Sequence, residues 1–237
     1  MFELIKLGLK EQLTYIFLIY GLSFIIMFFA LARSLRNTES RVYKEAFWML
    51  AGFALTKGLS AWADATDLVV GETASLHGVT ADNLSTILAV FSNLFILQFS
   101  VGMMTYRLPY RKIYQILPVV LFGGYIILFF SGMIERSNAD SIGRFNFGYN
   151  GGVLTTVALV NLYHIQKQTK RTKLLRGISG LAIGFAFYSV FDGILNKPIL
   201  GVPIYMFRMF CAVMITSASF YIKELFMESK TRKVDYI

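Results

Sequence analysis

Residues 14–32 read TYIFLIYGLSFIIMFFALA, nineteen positions without a charged side chain. At about 1.5 Å of rise per residue, a helix of that length covers about 28 Å, close to the ~30 Å hydrocarbon thickness of a bilayer. The stretch shows no period-two alternation. A segment in lipid must satisfy its own backbone polar groups, so it reads as a membrane-crossing α-helix. Working outward, six more runs of similar length and character follow, at 46–63, 84–105, 114–133, 145–164, 174–195 and 202–225. The expected fold class is therefore all-α: a polytopic, seven-transmembrane-helix bundle over 14–225. It is preceded by an interfacial segment at 1–13 and followed by a basic cytoplasmic tail at 226–237.

Composition agrees. Of 237 residues, 56% are hydrophobic and only 16% charged, where soluble domains average about a quarter charged. The spans leave no room for a soluble enzyme domain. A net charge of +9 would suit a nucleic-acid binder only if its cations lined a solvated face, whereas here they sit in short loops between apolar runs. They serve as topology signals instead. Sixteen of the 23 basic residues fall in one alternating set of loops, from Arg33 through Lys233, and five in the other set (Lys6, Lys10, Arg136, Arg144, Lys197). The positive-inside rule then places the N-terminus outside and the C-terminus in the cytoplasm of the cell inner membrane. The segment 1–13 has mixed charge and no small-residue cleavage site, so it reads as lying on the membrane surface and not as a cleaved signal. After the second span, Asp64, Asp67, Glu72 and Asp82 make an anionic outer loop of about eighteen residues, long enough to cap an external mouth.

Ionisable residues at membrane depth cost about 3 kcal/mol or more unless paired or hydrated. Three qualify: Lys57 in the second span, Asp192 near the end of the sixth, and Arg208 about two turns into the seventh. The alternating topology puts all three in the outer third of the membrane, with Asp64 just above them and Trp62 and Tyr205 as interface anchors. Two readings follow. Asp192 pairs with Arg208 or Lys57 to lock the bundle, or the surplus cation receives an anionic ligand or a quinone-like carbonyl from the outer side. No other cofactor is expected beyond such a lipid or quinone.

The remaining polar residues point to packing. Asn93, Gln98, Asn146, Asn150 and Asn161 are expected to bond between helices, at about 0.6 kcal/mol each. Gly177, Gly180 and Gly184 form a small-residue face for close helix approach, within the bundle or in a homodimer. His77 and His164 fall on opposite membrane faces and cannot share a metal or haem, and the single cysteine, Cys211, excludes an internal disulfide. No P-loop, nucleophile elbow, HExxH or GxGxxG-on-a-strand pattern occurs, so no catalytic residue is expected. No internal repeat of the transporter kind is evident.

Two stretches carry a resemblance. Residues 51–62, AGFALTKGLSAW, following the basic Ser40-Arg41 loop, and residues 201–212, GVPIYMFRMFCA, are similar to the second and last helices of the N-terminal seven-helix membrane input domain of bacterial sensor histidine kinases and diguanylate cyclases. In that family a proline precedes a membrane-embedded arginine, matched here by Pro203 and Arg208, and the last helix runs into a charged linker, matched by 223–233. Where that family often carries His and Glu ahead of the Trp, this chain has Lys57, Ser60 and Ala61. The resemblance spans about residues 10–230 and implies an input half without its catalytic module. The leading expectation is a non-catalytic sensor or signal-relay domain that couples an external or membrane-borne stimulus, through the seventh helix, to a cytoplasmic signalling protein. The second is an accessory subunit of a larger membrane complex, docked to other membrane subunits, and the third a small-solute or ion carrier.

Overall fold

A computed structural model describes residues 2–36, 41–70, 75–76, 79–105, 108–133, 144–169, 171–195, 197–199, 201–222 and 225–226. Among the described residues the protein is all-α apart from one hairpin of two-residue strands. Its helices are α1 (Phe2–Leu35), α2 (Arg41–Val70), α3 (Ala81–Met104), α4 (Arg111–Phe130), α5 (Asn150–Gln166), α6 (Thr172–Ser189) and α7 (Ile204–Ser219). Strands β1 (Ser75–Leu76) and β2 (Val79–Thr80) pair antiparallel between α2 and α3. A π-helical turn, Arg144–Tyr149, leads into α5, and a second, Val190–Ile194, ends α6.

Among the described residues, five helical segments are long and apolar enough to cross a bilayer: Lys10–Leu35, Leu84–Met104, Arg111–Leu128, Thr172–Ile194 and Ile204–Ile222. The protein is thus a multi-pass membrane protein. α2 and α5 are less apolar for identifiable reasons. Lys57, Trp48 and Trp62 interrupt α2, while Asn146, Asn150, Asn161 and the Gly151-Gly152 pair dilute α5 and its leading turn. Both turn one side to the core, with Phe47, Leu50 and Phe53 of α2 and Leu159 of α5 fully buried; protein shelters Lys57 there as lipid could not, whereas Asn146, Asn150 and Asn161 lie on the exposed side.

Six helices close into a ring in the order α1, α2, α3, α5, α6, α7 and back to α1, while α4 packs on the outside of α3. Paired contacts give their directions. Trp62 meets Leu18 while Phe53 meets Phe24, so α1 and α2 run antiparallel. Ser100 bonds Thr155 while Ile96 lies against Gly151, so α3 and α5 run parallel. By the same reasoning α1 and α7 are parallel, since Phe17 meets Tyr205 and Thr216 Oγ1 donates to the Ser23 carbonyl. Tyr20, Phe24, Phe53, Phe185 and Tyr188 fill the centre with mostly edge-to-face rings, the arrangement their quadrupoles favour.

Several expectations need correction. Residues 2–13, expected as an interfacial segment, are helical and continuous with the rest of α1, which runs unbroken to Leu35. α2 extends to Val70, so Asp64 and Asp67 belong to its last two turns and not to a loop; at about 45 Å a 30-residue helix outruns the hydrocarbon core. The loop between α2 and α3 shrinks accordingly, and Glu72 and His77 lie outside the described residues. Asn150 does not bridge helices: its Nδ2 donates to the carbonyls of Asn146 and Phe145, in the π turn just before it. The work expected of asparagine falls largely to hydroxyls, as in Ser100–Thr155 at 2.7 Å and Thr156 to the Ala182 carbonyl at 3.4 Å. Gln98 does bridge, from α3 to the Gln115 carbonyl of α4 at 3.0 Å, beside the opening that Pro118 leaves in that helix.

The candidate site: a buried charge triad

Lys57, Asp192 and Arg208 meet at one level of the ring although 135 residues separate the first two. Lys57 projects inward from the middle of α2, and its Nζ donates to Asp192 Oδ2 at 3.1 Å and Oδ1 at 3.4 Å. Arg208 Nη1 stands 3.5 Å from Asp192 Oδ1. All three residues are buried, at 8%, 3% and 6% exposure. Both cations thus pair with the same carboxylate. The triad therefore holds two cations against one carboxylate in a low-dielectric interior, where such attraction is strongest and desolvation most costly.

Local structure explains how Asp192 and Arg208 come together. Gly201, with φ of 78°, and the Ile199–Val202 backbone bridge close the connection between α6 and α7, and positive φ is a conformation glycine adopts without penalty. Pro203 then starts α7, placing Arg208 one turn in and opposite the end of α6. There Arg208 Nε donates to the Phe191 carbonyl at 2.8 Å and Nη2 to the Leu195 carbonyl at 3.3 Å. The guanidinium thus caps a helix C-terminus, satisfying carbonyls that have no partner in the helical ladder and meeting the negative end of the dipole. Asp192 sits within the π-helical turn itself, and the following Gly193 packs so tightly on Tyr149 that an added Cβ would lie 2.6 Å from its Cβ and 2.8 Å from its Cα. The two π turns therefore abut.

Aromatic groups enclose the triad. Lys57 Nζ lies 5.9 Å from the Tyr188 ring centre and Arg208 Cζ 5.2 Å from that of Tyr205, both within cation–π range. Tyr188 and Tyr20 share a hydroxyl hydrogen bond of 3.1 Å. Beyond them, Phe24, Phe53 and Phe185 are completely buried. Tyr205, expected as an interface anchor, covers the arginine. Trp62, expected in the same role, lies on Gly21 and donates to the Leu18 carbonyl at 3.2 Å, sealing the close crossing of α1 and α2 where Gly21 meets Gly58.

Asp64 occupies a separate polar knot: it accepts from Ser85 Oγ, and Ser60 Oγ donates to the Ser85 carbonyl at 3.0 Å. Gly177, Gly180 and Gly184 serve the bundle itself. Added Cβ atoms there would approach Tyr221, Ala218 and Ile215 of the α7 segment at 2.6, 3.0 and 2.6 Å. His164 is exposed at the end of α5, beside a groove of about 290 Å³ lined also by Met103, Met104 and Asn161, away from the triad. Among the described residues, no three His, Cys, Asp or Glu side chains gather as a metal site would require.

Sequence reasoning did not find Tyr20, Tyr188, Ser60 or Ser85 as parts of these clusters. Tyr188 lies four residues before Asp192 and Ser60 three after Lys57, spacings that share a helix face and point to both; nothing in the sequence singles out Tyr20. Compared with known proteins, the chain matches no family model, no curated protein and no solved structure.

Proposed function

We propose that this chain is a non-catalytic, seven-span sensor or signal-relay protein of the bacterial inner membrane, with its N-terminus outside and its C-terminus in the cytoplasm. The observation that carries this reading is the triad, in which one carboxylate from α6 joins cations from α2 and α7. An ion network that spans three helices changes its geometry when any one of them shifts. α7, which contributes Arg208, leads toward the basic residues 223–237, through which a change would reach a cytoplasmic partner. Support for seven crossings comes from helix direction, since α1, α3, α5 and α7 run one way and α2, α4 and α6 the other, as alternate crossings require. The surplus cation suits an anionic or carbonyl-bearing stimulus, such as a lipid or quinone head group, reaching the triad from the outer side.

An accessory-subunit role has its own supporting observation. α4 is almost wholly uncovered, with Ile113, Ile116, Val120 and Ile127 each more than half exposed, a face that neighbouring subunits would bury. A carrier finds less support, because the closed aromatic layer of Phe24, Phe53 and Phe185 lies directly beyond the triad. The test is purification of the full chain in mild detergent, identification of its stoichiometric partner, and measurement of that partner's output with Arg208→Gln. A cytoplasmic kinase or cyclase whose output changes is the expected result. Stoichiometric recovery with only non-signalling membrane subunits would overturn the relay reading in favour of the accessory one.

A further inference from the structure

Asp192 is carried by a π-helical turn and not by the α-helix that precedes it, and the hydrogen bonds of that turn can be followed atom by atom. The Leu195 amide donates to the Val190 carbonyl at 3.0 Å, five residues back. An α-helical turn would give that amide to the Phe191 carbonyl, four residues back. In this structure the Phe191 carbonyl accepts from Arg208 Nε at 2.8 Å instead. One arginine thus takes the acceptor that distinguishes the two registers, and its Nη2 donates to the Leu195 carbonyl as well.

We propose that Arg208 selects the π register of residues 190–194 by occupying the Phe191 carbonyl, so that the turn passes between π and α registers as Arg208 engages or releases it, rotating Asp192 toward or away from Lys57. Converting i→i+5 bonds to i→i+4 bonds tightens the coil, so every side chain from Phe191 onward turns about the helix axis. Three surroundings make the exchange local. Upstream, α6 is anchored on α7 through Gly177, Gly180 and Gly184. Facing the turn, the second π segment, 144–149, meets it through the Gly193–Tyr149 contact, where no side chain on residue 193 interlocks the two. Downstream, the exposed Lys197 and Pro198 belong to a connection that can absorb the rotation. In its signalling role the switch rests on the relay reading given above, while the register change itself stands on the hydrogen bonds.

The experiment uses the full chain in detergent with Cys211→Ala as background and cysteines replacing Phe191 and Phe207, whose stacked rings lie 5.1 Å apart across α6 and α7. The rate of oxidative cross-linking reports whether residue 191 still faces 207. With Arg208→Met the rate is expected to fall at least tenfold. With Asp192→Asn, which removes the ion pairs but leaves both backbone bonds of Arg208, it is expected to stay within about twofold of the background. Equal rates in the background and Arg208→Met would overturn the proposal, as would an equal loss in the two variants, since the ion pair and not the carbonyl cap would then set the register. Should Arg208→Met not fold, the Asp192→Asn arm decides alone: retained cross-linking supports the cap and lost cross-linking overturns it. No partner is needed for this measurement, so its failure is separable from failure of the relay reading, which is judged by partner output.

Discussion

At the scale of single residues, the unequal stoichiometry of the triad makes its members unequal. Removing Asp192 strands two buried cations, whereas removing Lys57 leaves Asp192 and Arg208 as a matched pair with the arginine still capped by two carbonyls. Asp192→Ala is therefore expected to cost about 3–5 kcal/mol, the usual penalty for leaving buried charge unpaired, and Lys57→Met a small fraction of that. Reversible unfolding in mixed micelles measures both, and equal losses would show that Lys57 and not Arg208 is the principal partner. Glycines give a second contrast. Gly193→Ala would press a methyl group onto the backbone of Tyr149, which cannot rotate away, and is expected to cost about 1–3 kcal/mol. Gly123→Ala, with no atom within 4 Å of the added carbon, should be neutral or should stabilise by up to about 1 kcal/mol through helix propensity. The triad residues were legible in the sequence because charge in an apolar run is conspicuous. Tyr20 was not, because a tyrosine in an apolar helix is ordinary until its partner is known.

At the scale of elements, the helices meet through small residues and hydroxyl bonds, as they must where lipid offers no hydrophobic drive for association. The glycine face of α6 lies against α7 and is thereby occupied within the chain. Gly184→Val is accordingly expected to destabilise the folded monomer, seen as a lower unfolding midpoint, with no specific effect on oligomeric state at equal folded fraction. The Ser100–Thr155 bond, at 2.7 Å and buried, is expected to show a coupling of about 0.6 kcal/mol in a double-mutant cycle of Ser100→Ala and Thr155→Val, with a ceiling near ~1.7 kcal/mol. Element lengths were only partly legible. Hydropathy ends α2 near Ala63, where polar residues begin, but Asp64 is held by Ser85 and the helix runs on to Val70. A carboxylate satisfied by a neighbouring helix does not terminate its own.

At the scale of the whole molecule, the ring of six helices with α4 outside determines which residues see lipid. α4 retains its exposed aliphatic surface, while α2 surrenders nearly all of one side to the core. The proposed seven-crossing topology has a direct check: in the Cys211→Ala background, Lys10→Cys should react with a membrane-impermeant maleimide in intact cells, and Lys173→Cys only after the membrane is opened. Reaction at both positions from outside would refute the proposed orientation. By itself the sequence determined the solvent, the helical class and the identity of the costly residues, because apolar length and isolated charge are local properties that no fold can alter. Only the tertiary structure decided that Asp192 serves Lys57 and Arg208 together, that Arg208 caps α6, and that a π turn carries the carboxylate. Those outcomes depend on which helix ends lie side by side and on which backbone carbonyls the ladder leaves free, and both are properties of the closed ring.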